Sequence, residues 1–306
     1  MSETVMKGIV PSLNTPFDAD NAVDHGSLRR LVDHTINAGC GGMLGLAVAG
    51  EYPTLSHDEK TAIIETVAES NAQRIPFIVS VTAANLDASI ELTKIASSVG
   101  AAGICVQMPA DHDRQRNLGF LQELESHAPN ILMVQDLDWS GEGLPLEEIL
   151  YLYENVRNFS WLKIETQRAG PKYSAVKQST NAALNVCGGW AVSQLMDALA
   201  RDVDAFIPTG LERVYVEIYN MHERGDHASA RALFDRVLPI LNFSNQHIDT
   251  SIQFFKQLRK AEGIFDTPNC RTAGAKFDAV QKIEAGFALN SALELIRAHQ
   301  PGAAHA

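Results

Sequence analysis

The stretch Phe159-Ser160-Trp161-Leu162-Lys163-Ile164-Glu165-Thr166 decides the fold. Its first part, residues 159–164, is mostly apolar, and polar residues precede it at 154–158. A short apolar run bounded by polar residues predicts a buried strand that ends in a loop. A lysine inside such a strand is energetically unfavourable unless it is paired, hydrated or chemically used. Lys163 is therefore the first candidate for a functional residue.

Lys163 and Glu165 are two residues apart, so in a strand both side chains point to the same side. A lysine removed from water loses proton affinity, becomes nucleophilic and can form a Schiff base with a carbonyl group. The pair therefore predicts an amine and a carboxylate acting together at the end of a strand. A structural ion pair between the same two residues is the alternative that this stretch leaves open.

Short apolar strands alternate with helical patterns along the chain. Eight strands are predicted, at residues 8–13, 41–47, 76–81, 101–107, 130–135, 159–164, 185–189 and 204–208. Clear helices are predicted at 25–38, 86–99 and 146–156, and Ser56-His57-Asp58-Glu59 is a capping box that opens another helix. Eight strand–helix units in one domain favour an α/β fold of the (β/α)8 TIM-barrel type over an open sheet.

Strand patterns stop near residue 227 and only helical patterns follow. Helices are predicted at 228–241, 246–262 and 273–298. The expected organisation is a catalytic barrel at residues 1–225 and a C-terminal helical bundle at 226–306.

Composition excludes several classes of protein. The 306 residues carry a net charge of −12, which argues against binding to nucleic acid because phosphate contacts need clustered Lys and Arg. The four cysteines are scattered, and neither a signal peptide nor a membrane span is expected, so we expect a cytoplasmic protein. Neither GxGxxG nor HExxH spacing occurs, so we expect no cofactor and no metal.

In a TIM barrel the active site forms at the C-terminal ends of the strands. The second strand ends in Val48-Ala49-Gly50-Glu51, where Gly50 permits a tight turn and nearby amides could hold a carboxylate. The fifth strand supplies Val134 and Asp136, which face the same side by strand alternation. Phe206 and Ile207, in the eighth strand, complete the predicted substrate-binding set.

Several of these residues have simpler interpretations. Glu51 could brace its turn without touching a substrate. Asp136 could be a solvated loop residue, since loops are polar by default. Asp111 and His112, which follow the fourth strand, are open to the same interpretation.

The element order and several motifs resemble the family of dihydrodipicolinate synthase and N-acetylneuraminate lyase over nearly the whole chain. Thr15-Pro16-Phe17 resembles the end of the family's first strand, and residues 47–51 resemble a degenerate form of its Gly-Thr-Thr-Gly-Glu motif. Residues 55–59 match the segment that follows this motif, and Lys163 falls where the family has its Schiff-base lysine. The resemblance implies a barrel with a C-terminal helical bundle, a homotetramer, and action on 2-oxo acids.

Departures from the family motifs narrow the expected chemistry. Val48 and Ala49 replace two threonines, Val134 replaces the tyrosine that relays protons, and Trp139 replaces the arginine that binds the synthase's second substrate. The Pro-Tyr-Tyr tyrosine has no counterpart in residues 109–111. The segments 133–136, 163–166 and 241–245 instead resemble the branch of L-2-keto-3-deoxyarabonate dehydratases.

The resemblance implies a lyase that forms a Schiff base through Lys163 and dehydrates a 2-oxo-3-deoxy sugar acid. Strand alternation makes Glu165 the candidate base, and Asp136 or a bound water could replace it as the acid that assists loss of the C4 hydroxyl. A pyruvate-dependent aldolase of the same family and a non-catalytic 2-oxo-acid-binding paralogue are the alternatives. A deaminase or hydratase-aldolase of the same superfamily is a further one. The expected partner is a small 2-oxo acid, with no nucleic acid and no membrane.

Overall fold

The computed structural model describes residues 6–108, 113–189 and 192–300. The chain divides into two compact units. The first contains Pro76–Ile207 with the described residues of 1–7, and the second contains Gly8–Ile75 with the described residues after 207. The two units are described in turn.

The first unit alternates strands and helices. In chain order its elements are β3 (Phe77–Ser80), α3 (Leu86–Ser98), β4 (Gly103–Gln107), α4 (Arg114–Glu125), β5 (Ile131–Asp138), α5 (Leu146–Asn155), β6 (Phe159–Thr166), α6 (Ala169–Ser179), β7 (Asn185–Gly188), α7 (Leu195–Leu199) and β8 (Ala205–Phe206). The strands pair in parallel in chain order from β3 to β8. Parallel strands joined through helices are buried on both faces, which explains their apolar composition.

The longest strands of this unit, β5 and β6, position the candidate site. Gln135 of β5 is the partner of Lys163 of β6, and Lys163 is in turn the partner of Cys187 of β7. Side chains of residues paired in this way project from the same face of the sheet. Gln135, Lys163 and Cys187 therefore form one row of side chains.

The second unit contains two strands and the C-terminal helices. Its elements are β1 (Gly8–Ile9), α1 (His25–Asn37), β2 (Met43–Gly45), α2 (His57–Asn71), α8 (Glu212–Glu223), α9 (His227–Ser244), α10 (Ile248–Ala261) and α11 (Ala279–Ala298). Ser12 and Leu44 form a parallel bridge that extends the two short strands. The capping box predicted from Ser56 and Glu59 is present at the start of α2, with both of its hydrogen bonds.

Some predicted bounds are wrong. β1 ends at Ile9 instead of residue 13, since Pro11 has no N–H for a strand ladder. β5 and β6 continue to Asp138 and Thr166, beyond the predicted 135 and 164. The last helix begins at Ala279 instead of residue 273, because Asp278 caps it by accepting from the Gln281 amide.

The described elements follow the order of a (β/α)8 barrel with a helical appendage, from β1 to α8 and then α9 to α11. The predicted boundary at residue 225 falls between α8 and α9, inside the second unit, and stays a prediction. Among the helices that the structure describes, none combines the length and apolar character needed to cross a membrane.

Candidate active site

Lys163 lies in the middle of β6 with only 4% of its surface exposed. Its Nζ donates a hydrogen bond to Oε2 of Glu165 over 2.7 Å. The side chain of Glu165 is itself largely buried, with 12% exposed. Both groups lie on the same side of β6, as strand alternation requires. A buried amine thus has a carboxylate within proton-transfer distance.

Burial and ion pairing act in opposite directions on Lys163. Burial is the largest single influence on the pKa of its ammonium group, and it lowers that pKa. Attraction to Glu165, the hydrogen bond to Glu165 and the nearby thiols together outweigh burial, so the pKa lies above the usual value of 10.5. The sequence-based expectation of reduced proton affinity is therefore wrong for the resting protein. A neutral amine forms here only after the proton passes to another group, and Glu165 is the hydrogen-bonded acceptor.

Gln135 is a site residue that the sequence analysis did not identify. It is 4% exposed, and its Nε2 donates to the same Glu165 oxygen that accepts from Lys163. One carboxylate oxygen therefore receives two donors, from neighbouring strands. The position of the Gln135 side chain follows from the pairing of Gln135 with Lys163 between β5 and β6. No local sequence pattern reveals this pairing.

Gly189, directly after β7, provides the space that Glu165 occupies. A Cβ atom added at Gly189 would collide with Oε1 of Glu165. The glycine therefore lets this carboxylate oxygen lie over the end of β7. The sequence signal was the pair Gly188-Gly189 at the end of a strand.

Two thiols contribute to the electrostatic surroundings of Lys163. Cys105 and Cys187 are fully buried, and burial raises the pKa of Cys105 to about 12, with attraction to Lys163 opposing this. Burial also raises the pKa of Cys187 well above its usual range. Both thiols are therefore neutral near physiological pH. Among the described residues, Glu165 is the carboxylate that is hydrogen-bonded to the lysine.

Val134 and Asp136 lie on the opposite face of β5 from Gln135, because they pair with Leu162 and Ile164 instead of Lys163. The structure does not bring these two predicted residues to the Lys163 side chain. Val134 is fully buried there, so the position that faces the lysine is Gln135.

Asp136 has a clear role on that opposite face. Its carboxylate forms an ion pair with Lys172 of α6 and accepts from the Leu144 amide over 2.8 Å. Burial raises the pKa of Asp136, and attraction to Lys172 opposes that rise. The group braces the loop between β5 and α5, and is not a solvated loop residue.

Of the two predicted residues near β8, Ile207 shares the face of Glu165 and Phe206 does not. Ala205 pairs with Cys187 and Phe206 with Gly188, so alternation places Ile207 on the Lys163 side. The Ile207 amide donates to the Gly188 carbonyl over 3.2 Å, next to Gly189.

In the second unit, residues 48–50 form a single 3-10 turn. The amides of Gly50 and Glu51 donate inside this turn, to the carbonyls of Ala47 and Val48. Within the described residues, the amides of Val48 and Ala49 have no hydrogen-bond acceptor. The amides left for a carboxylate are therefore those of Val48 and Ala49.

Glu51 braces the turn through contacts of both its carboxylate oxygens. It is 1% exposed and forms an ion pair with Lys256 of α10. Its other oxygen accepts from the amides of Arg271 and Thr272, over 2.8 and 2.7 Å. The carboxylate thus ties the turn to the C-terminal segment, in agreement with the simpler of its two interpretations.

Asp111 and His112 lie outside the described residues. Within the part of the chain that is described, no group of three or more His, Cys, Asp and Glu side chains is arranged to hold a metal ion.

Known proteins share both this sequence and this fold. A sequence profile described as "Dihydrodipicolinate synthetase family" matches residues 5–284. A 4-hydroxy-tetrahydrodipicolinate synthase of Salinibacter ruber is 32% identical over 228 residues, which cover 69% of this chain and 75% of that relative.

Two crystal structures show the same fold at lower identity. Dihydrodipicolinate synthase from Rhodopseudomonas palustris has a TM-score of 0.86 at 21% identity and covers 95% of this chain and 99% of its own. N-acetylneuraminate lyase from Fusobacterium nucleatum, complexed with pyruvate, has a TM-score of 0.83 at 19% identity, with 98% and 99% covered. The predicted TIM-barrel fold is confirmed. With a family profile matching most of its length, the chain belongs to the dihydrodipicolinate synthetase family, whose members are lyases.

Proposed function

We propose that this protein is a Schiff-base lyase that removes water from a 2-oxo-3-deoxy sugar acid. The observation that carries the proposal is the buried contact of 2.7 Å between Lys163 Nζ and Glu165 Oε2. A buried amine beside a carboxylate can both attack a carbonyl group and pass protons during the later steps. The chemistry needs no metal and no cofactor.

The first step is formation of the imine. Lys163 gives a proton to Glu165, and the neutral amine attacks the C2 carbonyl of the substrate. Glu165 returns its proton to the C2 oxygen, which leaves as water, and a protonated imine remains beside the ionised carboxylate. The imine acts as an electron sink for the bonds at C3. Because the pKa of Lys163 is raised, this first proton transfer is energetically unfavourable in the empty site.

Elimination follows from the imine. The ionised Glu165 removes a proton from C3, and the C–H electrons form an enamine between C3 and C2. These electrons then form the C3–C4 double bond while the C4 hydroxyl leaves, protonated by Glu165, as water. Water hydrolyses the resulting imine, so the product is the substrate minus one water molecule and Lys163 is regenerated.

The surroundings of Lys163 favour dehydration over retro-aldol cleavage. Cleavage needs a base for the C4 hydroxyl proton, the task of the tyrosine in the lyases that this chain resembles. The residue facing Lys163 from β5 is Gln135, and a carboxamide is not a base at physiological pH. Glu165 alone can serve elimination, because it takes one proton from C3 and returns it to the leaving hydroxyl.

The substrate's own carboxylate needs a separate anchor. The amides of Val48 and Ala49 stay the predicted carboxylate-binding donors, since backbone donors persist when side chains change. The N-acetylneuraminate lyase of Fusobacterium nucleatum was crystallised with pyruvate, which is the smallest 2-oxo acid of this class. Gly50 contributes the geometry of that turn, and Glu51 contributes its rigidity. Ile207, on the Lys163 face at the end of β8, is the proposed substrate contact within the first unit.

Borohydride trapping with pyruvate tests the proposal. Reduction of the imine should leave a pyruvate-sized adduct on Lys163 by peptide mass spectrometry, and the Lys163→Ala variant should show neither adduct nor turnover. Turnover by a folded Lys163→Ala protein would contradict the covalent mechanism.

A panel of 2-oxo-3-deoxy sugar acids then separates the candidate functions. Loss of water without pyruvate supports the dehydratase, and release of pyruvate with an aldehyde supports an aldolase. An adduct without turnover of any acid in the panel supports the 2-oxo-acid-binding alternative.

A further inference from the structure

The two carboxylate oxygens of Glu165 have different surroundings. Oε2 accepts hydrogen bonds from Lys163 Nζ and from Gln135 Nε2. Oε1 lies against Gly189, where any side chain would displace it. Among the described residues, Oε1 accepts no hydrogen bond. Within the described part of the chain, one oxygen is therefore held in place, and the other has its lone pairs available.

Only one of the two donors to Oε2 survives the reaction unchanged. The Lys163 ammonium has three N–H groups, but its protonated imine has one, in the plane of the double bond. The Gln135 amide keeps its two N–H groups at every stage and at every pH. Gln135 is 4% exposed and belongs to a paired strand, so its side chain is held by its surroundings.

We propose that Gln135 is a positioning residue, which keeps Glu165 turned so that Oε1 is the atom that takes the C3 proton of the imine. The inference rests on the proposed function. In this arrangement, the Glu165 oxygen that takes the proton is the one beside Gly189, at the end of β7. The proton moves from C3 to Oε1, and the C–H electron pair becomes the enamine double bond.

Among the described residues, Lys163 of β6, Cys105 of β4 and Cys187 of β7 are the titratable groups that share electrostatic interactions around Glu165. Tyr173 of α6 also interacts electrostatically with Glu165, while its hydroxyl donates to the Ile164 carbonyl. Burial raises the pKa of both thiols and of the Tyr173 phenol, so these three groups are neutral. Lys163 and Gln135 are thus the donors that stabilise the ionised carboxylate.

Exchange of the pyruvate methyl hydrogens in D2O tests the inference, because it reports proton removal from C3 of the imine and needs no knowledge of the natural substrate. The Gln135→Met variant preserves the size of the side chain and removes the donor. We expect borohydride trapping to remain and exchange to slow by roughly 10–100-fold, the effect of losing one hydrogen bond to a charged group. When the exchange rate of Gln135→Met is plotted against pH, the acid limb of the curve should lie at higher pH than in the unmodified protein.

Two further variants guard against a general structural effect. Gln135→Glu retains the shape but places a second carboxyl group beside Glu165, so it should also move the acid limb to higher pH. Gln178→Met changes the same residue type at an exposed position of α6 and should exchange at the unmodified rate. Circular dichroism shows that each variant is folded.

The outcomes separate this inference from the proposed function. No adduct with the unmodified protein overturns the Schiff-base mechanism. An adduct without exchange in the unmodified protein removes Glu165 as the C3 base. Normal exchange and an unchanged pH profile in both Gln135 variants overturn the inference alone. Loss of trapping in both variants also overturns it, because Gln135 would then serve the lysine step.

Discussion

At the scale of single residues, the proposed function depends on how one ammonium and one carboxylate share protons in a buried site. Lys163 and Glu165 form a close ion pair, and the attraction raises the pKa of the lysine despite its burial. A 2-oxo acid that displaces this pair gains an amine nucleophile and a base in one step. In the proposed mechanism, this ion pair is the resting state, and it also supplies the nucleophile and the base.

Replacing Glu165 with glutamine should separate imine formation from proton transfer. The amide keeps the size of the side chain but cannot accept a proton, so we expect turnover to fall by roughly 10²–10⁴-fold. Borohydride trapping on Lys163 should persist. Glu154→Gln, an exposed position on α5, is the matched control and should leave both readouts unchanged. Near-normal turnover by Glu165→Gln would exclude Glu165 as the general base.

At the scale of elements, buried or half-buried ion pairs hold loops and helix ends in each of the two units. In the first unit, Asp136 of β5 pairs with Lys172 of α6, which also donates to the Glu142 carbonyl over 2.6 Å. Gly143, with φ of 67°, lies so close that a Cβ atom there would strike Asp136. The loop is therefore fixed by one carboxylate.

The Lys172→Met variant should be strongly destabilised. It leaves the Asp136 carboxylate, which is 2% exposed, without its cation. Removing one partner of such a pair costs about 3–5 kcal/mol. Urea unfolding measures the loss, and the double variant Asp136→Asn, Lys172→Met should recover most of it. A single variant as stable as the unmodified protein would show that the pair is not structural.

Glu59 should make the stability of the protein depend on pH in the acid range. A hydrogen bond from Arg271 is the main cause that lowers the pKa of Glu59 from 4.5 to about 2. Because the folded pKa is depressed, this contribution is present above pH 4.5 and is lost as the pH falls towards 2.

Comparison with Glu59→Gln isolates that contribution. Glu59 is partly exposed, so we expect the variant to lose about 1 kcal/mol at neutral pH after solvent screening. The difference in melting temperature should shrink on acidification. Because Glu59 also completes the capping box of α2, a Ser56→Ala variant, which keeps the Arg271 contact, measures the contribution of the Ser56 hydroxyl. A constant difference across the acid range would refute the role assigned to the Arg271 contact.

At the scale of the whole molecule, one helix leaves an apolar stripe in water. Val280, Ile283 and Phe287 of α11 are 68%, 62% and 66% exposed. Their spacing of three and four residues places them on one face of the helix. Exposed apolar patches of this kind are typical of protein–protein contacts.

The homotetramer implied by the family resemblance stays a prediction, and this stripe gives it a test. If α11 takes part in self-association, Phe287→Glu should lower the molar mass measured by light scattering, because it buries a charge in the contact. Lys282→Glu, an exposed α11 position away from the stripe, should leave the mass unchanged. An unmodified protein that is monomeric at micromolar concentration would remove the prediction.

The sequence by itself determined the features that depend on local periodicity. Alternating strand and helix patterns predict the barrel, because each period of side chains reflects which faces are buried. The Ser56–Glu59 capping box needs only four consecutive residues, and the shared side of Lys163 and Glu165 needs only the strand period. The candidate nucleophile and base thus follow from one stretch of eight residues.

Tertiary structure decided everything that depends on partners distant in the chain. Gln135 faces the lysine, while Val134 and Asp136 do not, because pairing between β5 and β6 fixes the face and one residue of register reverses it. Glu51 is held by Lys256, 205 residues further along the chain. The pKa of Lys163 rises although burial alone lowers it. Strand register and charge neighbours arise from long-range packing, which a local pattern does not encode.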